Sequence, residues 1–217
     1  MTGRNTDGFL QEYNNPYIKE VMFYYTGNCR IKFQNGIEKE YTFCFDAVYL
    51  SQFGAPISDD GRLLFISDWE HGLSVFDTDT GEQCWHYKAT RIGKVLVFPS
   101  FVLAEKFNER LIQFDIRTGK VMNQIKSGTI EELFYLTEKE VLVCSVRGKV
   151  SLVDAATLHI IKCYSNKETN PSDCLSQVIR DARMVDGEIV LYGFESCSHR
   201  NFNDRTKVDF QRALPTP

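Results

Sequence analysis

Short apolar runs separated by polar turns recur through most of this chain. The clearest runs occupy residues 62–67, 95–98, 101–104 and 140–145, and weaker ones follow toward both ends. Runs of this length, rich in β-branched and aromatic residues, predict strands, and continuous apolar runs predict strands buried on both faces. No long helical period interrupts them. The pattern therefore predicts an all-β protein with little helix.

One sequence unit occurs three times and is centred on Asp77, Asp115 and Asp154, at intervals of 38 and 39 residues. In each copy an apolar strand ends at the Asp, a Thr follows three residues later, and a second strand begins soon after. The Asp and Thr side chains can bond nearby backbone N–H groups and close a tight turn. Gly81 and Gly119 follow the Thr and tolerate a positive φ. The third copy has Leu158 there, which predicts a turn that differs in detail.

Repeats near 40 residues with strand content are typical of propeller blades. Three clear units cover residues 55–167, and residues 17–54 and 168–217 leave room for one more each. Hairpin turns are predicted at Asn35-Gly36, Asp59-Asp60-Gly61 and Asp186-Gly187. We therefore predict one β-propeller domain over residues 1–217, with a polar lead at 1–16 and five blades of four-stranded antiparallel sheet. The alternatives are six very short blades or an open β-sheet sandwich.

Residues 75–85, Val-Phe-Asp-Thr-Asp-Thr-Gly-Glu-Gln-Cys-Trp, resemble the repeat of quinoprotein-type and WD-repeat propellers. In those families an aspartate and a Thr-Gly turn precede a strand with a Trp. The resemblance extends over residues 55–165 and implies a blade architecture. It does not imply a quinone enzyme, because those have about eight blades with a dedicated cofactor and calcium site. The Gly-His and Trp-Asp pairs of the WD-repeat family are also missing.

Charge and cysteine content exclude several classes of protein. The net charge is −4 and no run of Lys and Arg occurs, so we expect no direct binding to nucleic acid. No apolar stretch approaches ~18 residues and residues 1–15 lack the apolar core of a secretory signal, so no membrane association is expected. The seven cysteines are odd in number and show no Cys-x-x-Cys spacing, which favours buried free thiols in a reducing compartment. We therefore expect a cytoplasmic protein.

The sequence carries no recognisable catalytic or metal motif. The four histidines are scattered, and no nucleophile elbow, phosphate loop or zinc-protease helix is present. Asp77-x-Asp79-x-Gly81 resembles the start of a calcium loop, but the twelfth position is Lys88 instead of an acid. We therefore predict a protein that is not an enzyme and uses no cofactor or metal. A small propeller hydrolase or lyase with carboxylates at the channel mouth is the enzymatic alternative.

Loops that carry large side chains are the predicted recognition surface. One loop contains Trp69, a second contains Arg110, and the insertion at residues 166–173 is a third. Trp and Arg dominate binding hot spots. Trp69 fits two roles equally, an exposed anchor or a residue that packs a blade. The predicted binding residues are Asp68, Trp69, Glu70, His71, Phe107, Glu109, Arg110 and Asp173.

An acidic, compact binder without enzyme motifs fits a dedicated inhibitor. A bacterial immunity protein that neutralises a nuclease toxin is one example, because nuclease clefts are basic and an acidic partner is steered to them. The predicted partner is thus another protein, with a basic toxin or nuclease as the specific hypothesis. The alternative function is a general protein-interaction scaffold or sensor propeller.

Overall fold

The computed structural model describes residues 8–43, 45, 50, 52–107, 109–127, 129–145, 149–169, 176–198 and 205–215. Regular structure in these residues is almost entirely β, arranged as five antiparallel sheets. The contacts divide the chain into two compact units. The first contains the residues up to Phe107 together with Leu111–Gln124, and the second contains Asn108–Arg110 together with Ile125–Pro217.

The first unit holds two sheets and most of a third. The first sheet consists of β1 (Gly8–Glu12), β2 (Ile18–Tyr24), β3 (Asn28–Phe33) and β4 (Glu38–Thr42). The second consists of β5 (Leu63–Asp68), β6 (Gly72–Asp77) and β7 (Gln83–Lys88). The third consists of β8 (Ile92–Val97), β9 (Phe101–Lys106), β10 (Arg110–Asp115) and β11 (Val121–Lys126). In each sheet, consecutive strands of the chain are neighbours.

The second unit holds the remaining two sheets. Four strands form one of them: β12 (Ile130–Tyr135), β13 (Glu140–Ser145), β14 (Lys149–Asp154) and β15 (Ile160–Tyr164). A four-residue helix, Asn166–Thr169, follows. The last sheet has three longer strands, β16 (Ser176–Val185), β17 (Glu188–Ser198) and β18 (Arg205–Leu214). None of the helices in the described part of the chain is long and apolar enough to cross a membrane.

Two features differ from the expected blade pattern. Three sheets have four strands, but the second and the last have three. In the second sheet, Ile57 forms a single β-bridge with Leu64 where a first strand would lie. The expected polar lead is partly structured, because Gly8–Glu12 forms β1 and Phe9 stacks on Phe23 with ring centroids 6.1 Å apart.

The repeated turns are alike in all three copies. In each, Oδ1 of the Asp accepts hydrogen bonds from the backbone N–H and the hydroxyl of the Thr three residues later, at 2.7 to 3.2 Å. The next residue has a positive φ of 74° at Gly81, 67° at Gly119 and 58° at Leu158. The prediction of a different third turn was therefore wrong. Leu158 adopts the left-handed conformation while its side chain is only 2% exposed.

An aromatic side chain on the outermost strand of each of the first two sheets bonds the repeated turn of the next sheet. The Tyr41 hydroxyl donates to the Thr78 carbonyl at 3.2 Å and to the Asp79 carbonyl at 2.7 Å. The Trp85 indole N–H donates to the Ile116 carbonyl at 2.9 Å. Thr78 and Ile116 occupy the same position of the repeat, one residue after the Asp. We call these two contacts the aromatic staples.

Glycine is required beneath the staple in the third sheet. A Cβ added to Gly119 would lie 2.5 Å from ring atoms of Trp85. A Cβ at Gly81 would likewise meet the Tyr41 ring. The two Thr-Gly turns thus combine a positive φ, which disfavours a side chain, with a close approach of an aromatic ring, which leaves no room for one.

The apolar core lies between successive sheets within each unit. One cluster joins the first and second sheets around Phe23, Ile31 and Phe76. A second joins the second and third sheets around Phe65, Trp85 and Phe114. In the second unit, a cluster joins the fourth and fifth sheets. Burial of these faces positions the turns at both ends of each sheet.

Candidate binding surface

Three connections of the first unit meet at one end of its second and third sheets. They are the β5–β6 turn with Trp69, the β7–β8 connection with Arg91, and the turn after β9 with Phe107. Antiparallel strands place alternate turns at opposite ends of a sheet. This end is therefore opposite to the one that carries the repeated Asp turns.

Backbone hydrogen bonds join the three connections to one another. The Arg91 N–H donates to the Trp69 carbonyl at 2.6 Å, and the Phe107 N–H donates to the Arg91 carbonyl at 2.9 Å. Arg91 has a positive φ of 62°, which is uncommon for a residue with a side chain. Its position in the centre of this ladder accounts for the conformation, since both of its backbone polar groups are used.

The side chains above this ladder form an aromatic and cationic cluster. The ring centroids of Trp69 and Phe107 are 5.4 Å apart, and the Arg91 guanidinium carbon lies 5.9 Å from the Trp69 ring centroid. Trp69 is 37% exposed, so it packs against its neighbours and still presents surface to solvent. We call Trp69, Glu70, His71, Arg91 and Phe107 the Trp69 surface. Trp69 thus packs against its neighbours, and its role as a binding anchor stays a prediction.

Asp68 has a different role from the one predicted. It is 5% exposed, and its Oδ1 accepts hydrogen bonds from the N–H groups of Glu70 at 2.8 Å and His71 at 2.9 Å. Nδ1 of His71 lies 2.9 Å from the same oxygen. Asp68 therefore holds the turn that displays Trp69. It was predicted to be a binding residue, and the structure shows a buried carboxylate that stabilises the turn. The Glu70 side chain lies on the exposed part of the turn.

The remaining predicted residues lie elsewhere. Glu109 and Arg110 are grouped with the second compact unit, where Glu109 is exposed and Arg110, the first residue of β10, is half-buried. Asp173 lies outside the described residues. The structure therefore brings together Trp69, Glu70, His71 and Phe107 from the predicted set.

Arg91 is the member of the surface that the sequence did not indicate. It lies in a polar connection between two strands and belongs to no motif. Its role depends on backbone bonds to two other connections, and only the fold brings these together. A basic residue between two predicted strands is too common a feature to single out.

The cysteines partly follow the prediction. Cys29 and Cys144 are buried and form no disulfide, and burial raises the pKa of the Cys29 thiol to about 12. Cys84 and Cys163 are free but exposed, because they lie on the outermost strands β7 and β15. The prediction of burial is therefore wrong for these two. Cys44 and Cys174 lie outside the described residues, and the side chain of Cys197 is not described.

The Trp69 surface presents side chains of several chemical kinds. Two aromatic rings, a guanidinium and a carboxylate can contact another protein through apolar, cation–π and ionic interactions. Among the described residues no group of three or more His, Cys, Asp or Glu side chains could hold a metal ion.

Comparisons with known proteins address the fold. No protein-family model matches the chain, and no curated protein matches it in sequence. The structure is similar to the crystal structure of BamB from Moraxella catarrhalis, with a TM-score of 0.62 and 15% sequence identity. The match covers 88% of this chain, which spans 59% of the BamB chain. BamB is a β-propeller. This similarity and the five antiparallel sheets show that the chain has a β-propeller fold, as the sequence resemblance predicted.

Proposed function

We propose that this propeller is a protein-binding module that recognises its partner through the Trp69 surface. The observation that carries the proposal is a Trp held 37% exposed on three connections that are joined by backbone hydrogen bonds. A surface fixed in this way loses little conformational entropy on binding. Preorganisation of a large aromatic side chain is the property expected of a binding hot spot.

The polar residues around Trp69 fit the same role. Arg91 lies against the Trp69 ring and can pair with a carboxylate or a carbonyl of a partner. Glu70 and His71 flank the ring on the same turn, and the His71 side chain is 57% exposed. An aromatic centre with polar groups at its edge is the usual arrangement of a protein interface.

The finer proposal is that the partner is basic and that the chain inhibits it. One example would be a bacterial immunity protein that blocks the active site of a nuclease toxin in the cytoplasm. Its support is the net charge of −4, because an acidic protein is steered toward a basic one. Glu70 would contribute to that steering from the edge of the Trp69 surface.

Capture experiments with matched variants test the binding proposal. Wild-type protein, Trp69→Ala and Met122→Ala are immobilised in turn and exposed to native lysate. Met122 is a suitable control because it is apolar and 56% exposed on β11. We expect a protein retained by the wild type and by Met122→Ala but lost from Trp69→Ala. Equal retention by a stably folded Trp69→Ala variant would contradict the proposal.

Association and dissociation rates measured with the captured partner distinguish the proposed anchor, Trp69, from the residue proposed to steer the encounter, Glu70. Trp69→Ala should raise the dissociation rate and cost about 2 kcal/mol or more of binding free energy. Glu70→Gln should lower the association rate and weaken its dependence on salt, with no change in melting temperature. If the partner is a nuclease, stoichiometric wild-type protein should abolish DNA or RNA cleavage. A partner without nuclease activity would exclude the nuclease inhibitor, and a partner whose activity is unchanged in the complex would leave the scaffold function.

A further inference from the structure

A large cleft lies at the opposite end of the first two sheets from the Trp69 surface. Its volume is about 750 Å³, within the range of pockets that hold small ligands or single side chains. Its walls come from the β1–β2 connection, the end of β3, the segment just before β5 and the β6–β7 turn. The lining residues are Tyr17, Phe33, Asp60, Gly61, Arg62, Asp77, Thr78, Asp79 and Thr80. We call it the Tyr17 cleft.

Aromatic rings form one wall of this cleft. Tyr17 is 55% exposed, and its backbone N–H donates to Oδ1 of Asn15 at 2.9 Å. Its Cβ lies so close to Gly61 that a Cβ there would be 2.7 Å away. The Nδ2 of Asn15 in turn donates to the Ser58 carbonyl at 3.1 Å, which fixes this wall to the second sheet. The backbone and Cβ of Tyr17 are thus held in place, and its side chain remains exposed to solvent.

Three carboxylates, those of Asp60, Asp77 and Asp79, also line the cleft. Oδ1 of each is used internally: that of Asp60 accepts from Ser58 at 2.6 Å, that of Asp77 holds its turn, and that of Asp79 pairs with Lys39 at 2.5 Å. Within the part of the chain that the structure describes, none of the three Oδ2 atoms has a hydrogen-bond partner. Each carboxylate therefore keeps one oxygen for a donor in the cleft.

Two of these carboxylates, Asp60 and Asp79, have pKa values below the ordinary value and are charged at neutral pH. Burial opposes ionisation of Asp60, but hydrogen bonds from Ser58 and the Arg62 N–H keep its pKa below the ordinary value. The hydrogen bond from Lys39 lowers the pKa of Asp79. Arg62 is the one cation among the lining residues, and the three carboxylates outnumber it. Lys39, which does not line the cleft, is paired with Asp79.

We propose that the Tyr17 cleft binds a cationic side chain, Lys or Arg, in an extended segment of a partner protein. The cation would lie over the Tyr17 ring and donate to the Oδ2 atoms of Asp60 and Asp79. A smaller cleft of about 270 Å³ shares Asp60 and continues toward Pro99 and Arg117 at the same end of the third sheet. The partner residues next to the cationic side chain can lie in this smaller cleft. This site is independent of the Trp69 surface.

The test uses a defined probe. Acetyl-Ala-Arg-Ala-amide is titrated into ¹⁵N-labelled protein, and amide shifts are followed by NMR. The control peptide carries citrulline in place of Arg, which keeps the shape and removes the charge. We expect saturable shifts at Gly61, Thr78, Asp79 and Thr80 with the Arg peptide, and at least about threefold weaker binding with citrulline, as for an exposed ion pair.

Three variants and one control sharpen the result. Asp60→Asn keeps the oxygen that Ser58 and Arg62 use, yet should weaken binding by about threefold. Tyr17→Ala should weaken it similarly, because a cation–π contact is lost. Arg62→Gln should strengthen it, since the competing cation is removed. Glu138→Gln, an exposed change in the second unit, should have no effect.

Several outcomes would overturn the proposal. These are absent or non-saturable shifts, equal binding of the citrulline peptide, and Asp60→Asn or Arg62→Gln binding like the wild type. Displacement of the peptide by micromolar Ca²⁺ would make the cleft a metal site instead. All of these results concern the Tyr17 cleft alone, so loss of binding in Trp69→Ala remains a separate test of the proposed function.

Discussion

At Leu158 the repeat changes its residue type but keeps its backbone conformation. The two other turns place glycine at this position, and Leu158 adopts the same positive φ of 58°. A left-handed conformation costs a residue with a side chain about 1–2 kcal/mol. The side chain is almost fully buried, and burial of a Leu stabilises by about 1.5–3 kcal/mol. Packing therefore outweighs backbone strain at this turn.

This balance predicts an unusual order of stability for two variants of Leu158. Leu158→Ala loses the buried side chain and keeps the strain, at a cost of about 2–5 kcal/mol. Leu158→Gly loses the same side chain but relieves the strain, so it should be as stable as Leu158→Ala or more stable, by up to about 1 kcal/mol. Urea denaturation measures both. Ala156→Gly, in the same turn but without a positive φ, is the control and should destabilise.

A result in which Leu158→Gly is less stable than Leu158→Ala, by an amount similar to the loss in Ala156→Gly, would show that no strain is stored at this position. The positive φ would then be freely accessible to any residue in this turn.

The cysteines give a second prediction for single residues. Alkylation of the native protein with iodoacetamide should modify Cys84 and Cys163 before Cys29 and Cys144. The first two are exposed, whereas the others are buried, and burial raises the pKa of Cys29 to about 12. Thiolate is the reactive form, so both access and ionisation protect Cys29. Peptide mapping by mass spectrometry reads the order, and unfolded protein, in which all four should react, is the control. Early modification of Cys29 or Cys144 would contradict the burial of these strands.

Part of the Trp69 surface could be predicted from single residues in the sequence. Trp69 and Phe107 were predicted from residue type and loop position alone, and the structure places their rings 5.4 Å apart. Asp68 was misassigned because an Asp beside a Trp in a turn looks the same in sequence whether it faces solvent or caps the turn. Arg91 was missed because its role comes from long-range backbone bonds.

At the scale of elements, the aromatic staples explain why two turns of the repeat contain glycine. Gly119 lies under the Trp85 ring, and the indole N–H donates to the carbonyl of Ile116 in the same turn. The outermost strand of one sheet is therefore fixed to a turn of the next. A side chain at position 119 would displace the Trp85 ring and would therefore also break the hydrogen bond from Trp85 to Ile116.

A pair of glycine substitutions isolates this effect. Gly119→Ala introduces both backbone strain and overlap with Trp85, whereas Gly36→Ala introduces strain alone, because nothing lies within 4 Å of an added Cβ there. Gly36→Ala should cost about 1 kcal/mol, and Gly119→Ala should cost about 1–3 kcal/mol more because the core is overpacked. Thermal unfolding and Trp fluorescence measure the difference. Equal destabilisation would mean that Trp85 can move away without cost.

Most strands could be predicted from the sequence, and the exceptions have physical reasons. Apolar runs such as those of β5, β9 and β13 are buried on both faces and show a strong pattern. β1 was missed because Gly8–Glu12 is half polar and pairs along one edge only. The reduced first strand of the second sheet could not be predicted, because Ile57 makes only one bridge. Its neighbours are held instead by Tyr13, whose hydroxyl donates to the Ala55 carbonyl.

At the scale of the whole molecule, the repeated Asp turns link stability to pH in both units. Hydrogen bonds from the hydroxyl and N–H of Thr118 lower the pKa of Asp115 below its ordinary value of 3.8. Thr157 does the same for Asp154, which lies in the second unit. Because these pKa values are lower in the folded state, their contribution is present above pH 3.8 and is lost as pH falls through the folded values.

The double variant Asp115→Asn/Asp154→Asn tests this linkage. Its amide oxygens can still accept the turn hydrogen bonds, but they do not titrate. We expect its stability to fall less than that of the wild type as pH drops below 3.8, measured by urea denaturation at several pH values. Glu138→Gln, which removes one exposed carboxylate outside the repeated Asp turns, is the control and should follow the wild-type slope. Parallel slopes for the double variant and the wild type would exclude the turns as a source of acid sensitivity.

The aromatic staples also bear on how this chain folds as it is synthesised. Tyr41 bonds a residue 38 positions ahead of it, and Trp85 bonds one 31 positions ahead. Each contact reaches forward by about one repeat, so a sheet gains its covering partner when the next repeat has left the ribosome. The apolar face exposed on the nascent chain at any moment is then limited to that of the newest sheet. Such a protein can fold one sheet at a time from its N-terminus, and little apolar surface is then available for aggregation during translation.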